Sequence, residues 1–133
     1  MLVASLLLGL LAACAPAETP LSGEERAAAL SFSEPKTDEL MVGLNAGDYA
    51  VFSADFDEAM QKAMTESQFE TFKQDRDDKL GAYVSRDVKN VVEQGEYYAV
   101  IYDARFTKDD AVTMRVVFRA AQPHEISGLW FDK

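Results

Sequence analysis

Cysteine and histidine each occur once in these 133 residues, as Cys14 and His124, and that scarcity removes several chemistries at the outset. One imidazole and one thiol cannot supply the tetrahedral donor set of a zinc site. A nucleophilic triad needs a base beside its serine or cysteine, and the chain carries no Gly-x-Ser-x-Gly elbow. A single thiol forms no internal disulfide, so the core has to hold without a covalent staple. No metal, no cofactor and no catalytic residue is assigned on these grounds.

Basic residues are also few: 13 Lys and Arg stand against 23 Asp and Glu, a formal net charge of −10. A surface of that sign repels phosphate backbones and anionic headgroups, which argues against nucleic acid and against membrane binding by charge. The run Asp75-Arg76-Asp77-Asp78 looks superficially like a calcium loop. An EF-hand, however, would want a ligand where Lys79 stands and glycine where Leu80 stands, so the run reads as a solvated helix face. Long apolar runs are missing as well, since the longest, residues 2–13, falls short of the roughly 20 residues that a spanning helix needs.

That short run is informative for what it does contain. It is apolar throughout and ends in small residues, the pattern of a secretory h-region and cleavage site. Leu11-Ala12-Ala13-Cys14 resembles the bacterial lipobox, whose cysteine is alkylated with diacylglycerol and then acylated, typically with palmitate. The expectation is a lipoprotein signal peptide over 1–13 and an exported protein anchored through Cys14 to the cell membrane or the outer membrane. No Lys or Arg precedes the apolar run, so either the α-amino group alone supplies the n-region charge or translation starts further upstream. Stable anchoring needs two or three acyl chains, at ~0.8 kcal/mol per buried methylene. Residues 14–32, with Pro16 and Pro20, read as the lipidated cysteine and a flexible tether, and residues 33–133 as one domain.

Within the tether Ser22-Gly-Glu-Glu25 has capping-box spacing for a short helix, and Ser33-Glu34-Pro35 opens a better one, with Leu40, Met41 and Leu44 on one face. Gly47 is its expected left-handed stop. Tyr49, Phe52, Phe56 and Met60 fall on one stripe of a helix or of two short consecutive helices. Thr65-Glu66-Ser67-Gln68 is a second capping box, before a helix that buries Phe69, Phe72 and Leu80 and ends at Gly81. The period then changes from 3.6 to 2. Strands are expected over 83–92, 97–106, 112–120 and 126–131, with Tyr98, Val100, Tyr102, Ala104 and Phe106 facing inward beside Val112, Met114, Val116 and Phe118. A three-residue loop at 108–110 would set Asp103 opposite Arg115.

Helices followed by an antiparallel meander make an α+β domain with the helices on one face of the sheet. Together with the Asn45-Ala-Gly-Asp-Tyr49 turn and the ending Ile126-Ser-Gly-Leu-Trp-Phe131, this order resembles the nuclear-transport-factor-2-like superfamily. The resemblance implies a cone-shaped fold in which N-terminal helices pack on a curved four-stranded antiparallel meander. It is similar to the branch of uncharacterised function found alone on lipoproteins or ahead of secreted α/β-hydrolases. A superfold of this kind hosts enzymes, binders and assembly modules alike, so it supplies a pocket and no reaction.

Inside such a cone Tyr102, Met114 and Trp130 are expected at the lining or mouth, with Arg86 and Asn90 as polar contributors if the first strand keeps Val84, Val88 and Val92 inward; the alternative is a bulge or twist that turns Arg86 and Asn90 to solvent at the rim. An inward Arg86 is either a ligand site or the partner of a helix carboxylate such as Glu58 or Asp55. The expected function is a membrane-anchored envelope lipoprotein that binds a small ligand or an envelope protein without catalysis, with a homodimer as a further possible partner. The alternative is an isomerase-like or hydrolase-accessory enzyme, whose mark would be a carboxylate beside Tyr102.

Overall fold

The structure, a computed structural model, describes residues 16–133. The expected signal peptide over 1–13 and Cys14 lie outside the described residues. The elements are β1 (Thr19–Pro20), α1 (Gly23–Ala46), α2 (Tyr49–Phe52), α3 (Glu58–Ala63), α4 (Glu66–Lys79), β2 (Tyr83–Gln94), β3 (Tyr97–Phe106), β4 (Asp109–Arg119) and β5 (Ile126–Asp132). The α+β order anticipated from the change of period is present, and the sheet carries one strand more than expected.

The first correction concerns the segment expected as a tether. It pairs with the sheet edge, Thr19 opposite Glu93 and Pro20 opposite Val92, and then enters a 24-residue helix with no break at Ser33. Pro35 sits inside that helix, where it removes one N–H to carbonyl bond. Pro35 and Ser31, the residue whose carbonyl goes unserved, are both exposed, so the lost bond falls on the side that water can satisfy. The opposite stripe, Ala29, Ser33, Thr37, Leu40, Met41 and Leu44, is buried. Gly47 closes the helix in the left-handed region at φ 68°. At Gly43 the backbone of α2 comes so close that a Cβ would lie 2.4 Å from Phe52 N, which fixes how α1 and α2 cross.

The aromatic stripe divides into two short helices. Asp48 caps α2 by accepting from Val51 N at 3.2 Å, and Asp57 caps α3 by accepting from Met60 N at 2.8 Å. Between them Phe56 forms a parallel bridge with Ile126, so the connection is stitched to the start of β5. Thr65 and Gln68 complete the expected capping box on α4.

All strand pairs are antiparallel neighbours in sequence order. The inner face of β3 and β4 carries the core as alternation required: Val100, Tyr102, Ala104, Val112, Met114, Val116 and Phe118 are buried, against Phe52, Phe56, Phe69 and Leu44 from the helices. Phe72 is only partly buried at the edge of this cluster. The β3–β4 turn departs from expectation. Phe106 pairs with Asp109, leaving two residues in the turn, and a register shift follows between Ala104 and Phe106. The extra residue on β4 restores the apolar faces to each other, so Asp103 stands opposite Thr113 and Ile101 opposite Arg115.

Candidate functional site

The five residues expected to line a pocket divide between the two faces of the sheet. Arg86, Tyr102 and Met114 point into the core side. A bulge between Val88 and Asn90 then moves Val91 inward and sends Asn90 to the outer face, where it stands in one row with Ile101, Arg115 and Trp130. The same irregular strand leaves Val84 60% exposed rather than inward. Leu129 and Phe131 take the inner positions of β5 and Trp130 is 55% exposed, its indole laid over Gly128, where a Cβ would lie 2.1 Å from the ring. Tyr102 and Met114 have no exposed surface at all. These five residues therefore do not form one site.

Arg86 is claimed by helix α1, though not by the carboxylates expected for it. Its guanidinium donates to Glu34 Oε2 at 2.9 Å, to Asp38 Oδ1 at 2.8 Å and to Tyr83 Oη at 3.0 Å, and it lies 5.1 Å from the centre of the Tyr102 ring. Glu58 and Asp55 serve elsewhere: Glu58 pairs with Lys62 and Asp55 with Lys36. Tyr102 gives its proton to Glu34 Oε1 at 2.6 Å, so the Thr37 hydroxyl, 3.1 Å away, is the donor to Tyr102. Burial and the bond to Glu34 push the Tyr102 hydroxyl well above its ordinary pKa, and Thr37 opposes them. Burial works against the Arg86 charge, but the bonds to Tyr83 and Asp38 and the field of Glu34 outweigh it. A carboxylate beside Tyr102 thus exists. It comes from the helix rather than from a strand, and both its oxygens are occupied.

Open space lies elsewhere, at the end of the domain where the β2–β3 hairpin turns. A groove of about 810 Å³ runs between the first turns of α1, the hairpin and the β4–β5 loop, lined by Leu21, Glu25, Phe32, Glu93, Tyr98 and His124 among others. Phe32 and His124 stack face to face, 3.7 Å between centroids and 8° from parallel, and Phe32 also meets Tyr98 and Phe118. His124 has φ 60°, a conformation unusual outside glycine, and its Nδ1 donates to the Arg119 carbonyl at 3.1 Å. That bond fixes the proton on Nδ1, and Nε2 has no partner among the described residues. Lys36 holds the same loop by donating to the Pro123 carbonyl at 2.8 Å. His124, which follows Pro123 in the β4–β5 loop, is half-buried in an aromatic wall. The turn composition gave no sign of this, because Phe32 reaches it from 92 positions away.

The outer face has a smaller cleft of about 310 Å³ between Tyr97, Arg115, Arg119 and Trp130, with Asp57 at its floor. Asp57 is 3% exposed and accepts from Met60 N, Arg119 Nε and Ser127 Oγ. Burial alone would raise its carboxyl, yet the three bonds, Ser127 first, hold it below the usual carboxylate range. Its one partner from β4 and one from β5 make this carboxylate a clasp between α3 and the sheet.

Helices leading into an antiparallel meander, with an open groove at the hairpin end, define an α+β domain with its helices on one face of the sheet. Residues 38–129 match the model of the family described as "Protein of unknown function (DUF3887)", and the chain belongs to that family. Among solved structures it is similar to an NTF2-like protein of unknown function from Cytophaga hutchinsonii, 18% identical, over 74% of this chain and 88% of that one with a TM-score of 0.38. No curated protein matches the chain.

Proposed function

We propose that this protein is a membrane-anchored envelope lipoprotein whose domain binds a small ligand, without catalysis, in the hairpin-end groove. The observation that carries the binding reading is the groove itself: an aromatic wall of Phe32, His124 and Tyr98 with Glu25 and Glu93 at its sides, a concave lining in which apolar and polar surface are about equal. The closed interior supports the absence of catalysis, because Tyr102 is inaccessible and Glu34 is neutralised by Arg86. The lipobox-like Leu11 to Cys14 supports the anchor.

Native mass spectrometry of the protein purified from its own cells tests the binding reading, with Ala28→Trp as the variant. Ala28 is exposed on the groove wall, so the indole fills the groove without entering the core. Wild type is expected to retain a small molecule that the variant loses. Spectra free of any adduct in both proteins would refute the proposal.

A further inference from the structure

We propose that the hairpin end of the domain lies against the lipid surface that holds Cys14, so that the groove opens at the membrane rather than into bulk solvent. The inference rests on the anchor reading above and on one feature of the fold: the segment after the cysteine is fastened down. Besides the Thr19 and Pro20 pairings, Leu21 N donates to the Val91 carbonyl at 2.8 Å, and its side chain is buried in the core. Gln94 Nε2 donates to the Pro16 carbonyl at 3.1 Å, and Glu18 pairs with Arg115 at 2.8 Å. Pro16 also lies against the turn at Gly95, 3.1 Å from where a Cβ would stand.

Since β1 runs antiparallel to β2, the chain upstream of Thr19 leaves the domain past the end of β2, at the β2–β3 turn. Between Pro16 and Cys14 there are only two peptide steps, which span at most about 7 Å when fully extended. A lipid on Cys14 therefore cannot be separated from this end of the domain by more than about the depth of a headgroup. The nearest surfaces are the turn at Gly95 and Glu96, the groove sides at Glu25 and Glu93, and the β4–β5 loop, which Ala120 N ties to the Glu96 carbonyl at 2.8 Å. The other end, with the β3–β4 turn and the last turn of α4, stands roughly 30 Å away along the strands.

Charge does not create this contact. Glu18, Glu24, Glu25, Glu93 and Glu96 cluster at the near end, so the lipid holds an acidic surface close to headgroups within a Debye length of roughly 8 Å. The groove then admits molecules that partition into the lipid–water interface, and its glutamates disfavour anionic ones.

The test uses the lipidated full chain in phosphatidylethanolamine and phosphatidylglycerol vesicles doped with headgroup nitroxide lipids. A fluorophore is placed on Glu96→Cys at the near end or on Asp110→Cys at the far end, with Glu25→Cys and Lys79→Cys as a second pair at exposed positions. Quenching is expected to be several-fold stronger at 96 and 25 than at 110 and 79. A twelve-residue flexible insertion between Ala15 and Pro16 should bring the near-end labels down to the far-end level. Equal quenching at both ends of the native-length protein, with palmitate incorporated, would overturn the orientation and leave the anchor intact. Failure to incorporate palmitate or to bind vesicles would overturn both.

Discussion

Replacing Arg86 with methionine removes the one cation that reaches into the polar cluster between α1 and the sheet. Its bond to Asp38, a side chain 66% exposed, contributes little, ~0–1 kcal/mol, because water competes for the carboxylate. The bond to Glu34 is different. There the guanidinium side chain is 8% exposed and the carboxylate 33% exposed, and a hydrogen bond between charged partners in such a place contributes ~1.5–3 kcal/mol. The guanidinium over the Tyr102 ring adds ~0.5–2 kcal/mol. Methionine recovers some apolar packing, so the net loss is expected to be roughly 3 kcal/mol, within the ~3–5 kcal/mol range for breaking a buried pair. Urea denaturation followed by far-ultraviolet circular dichroism would read this as a lower midpoint at constant slope. A double-mutant cycle with Glu34→Gln isolates the pair, and a coupling of ~1.5–3 kcal/mol is expected. A loss below about 1 kcal/mol with no coupling would show that Arg86 is solvated and that the cluster does not hold α1 to the sheet.

The Asp57 clasp predicts a pH dependence. Its folded-state pKa lies below the unfolded value of 3.8, so its contribution is complete well above 3.8 and disappears as pH falls through the folded value. Asp57→Asn should lower stability at neutral pH by about 1.5–3 kcal/mol and flatten the acid limb of the stability curve, and an acid limb as steep as wild type's would refute the assignment. Phe56→Ala, which empties a fully buried site, should cost ~3–5 kcal/mol in the same denaturation assay. Phe72→Ala should cost roughly half as much, because its ring, beside Phe52 and Phe131, is only partly buried, and equal losses would place Phe72 deeper than described.

The strands were legible because alternation is a local signal that packing reinforces: every inward position expected on β3 and β4 faces the helices. The Thr65 to Gln68 box and the Gly47 stop were legible for the same reason, since each satisfies its own backbone groups within a few residues. The misread features depend on partners far away in sequence. Ser33 looks like the start of a helix, yet it lies inside α1 and is buried with Thr37, which donates to Tyr102. A two-residue strand at Thr19 has no periodicity to detect. The extra residue in β2 reverses Asn90, and no composition marks it. Arg86 was expected inward only if the first strand kept its alternation, and it does face inward, but its partners Glu34 and Asp38, in the helix expected to open at Ser33, were not foreseen. The groove was missed entirely, because it is assembled from a hairpin, a loop and the start of α1 rather than from one face of the sheet.

Trp130 is the only tryptophan in the chain, and it lies flat across Gly128 on the outer face, away from the core. The protein's single strong fluorophore therefore watches a surface. Its emission in the folded state should already be that of a solvated indole, so unfolding will change it far less than the collapse of eight phenylalanines and five tyrosines would suggest. What it will report well is anything that comes to rest on that face of the sheet, whether a quencher, a membrane or another protein, at a position where the core stays silent.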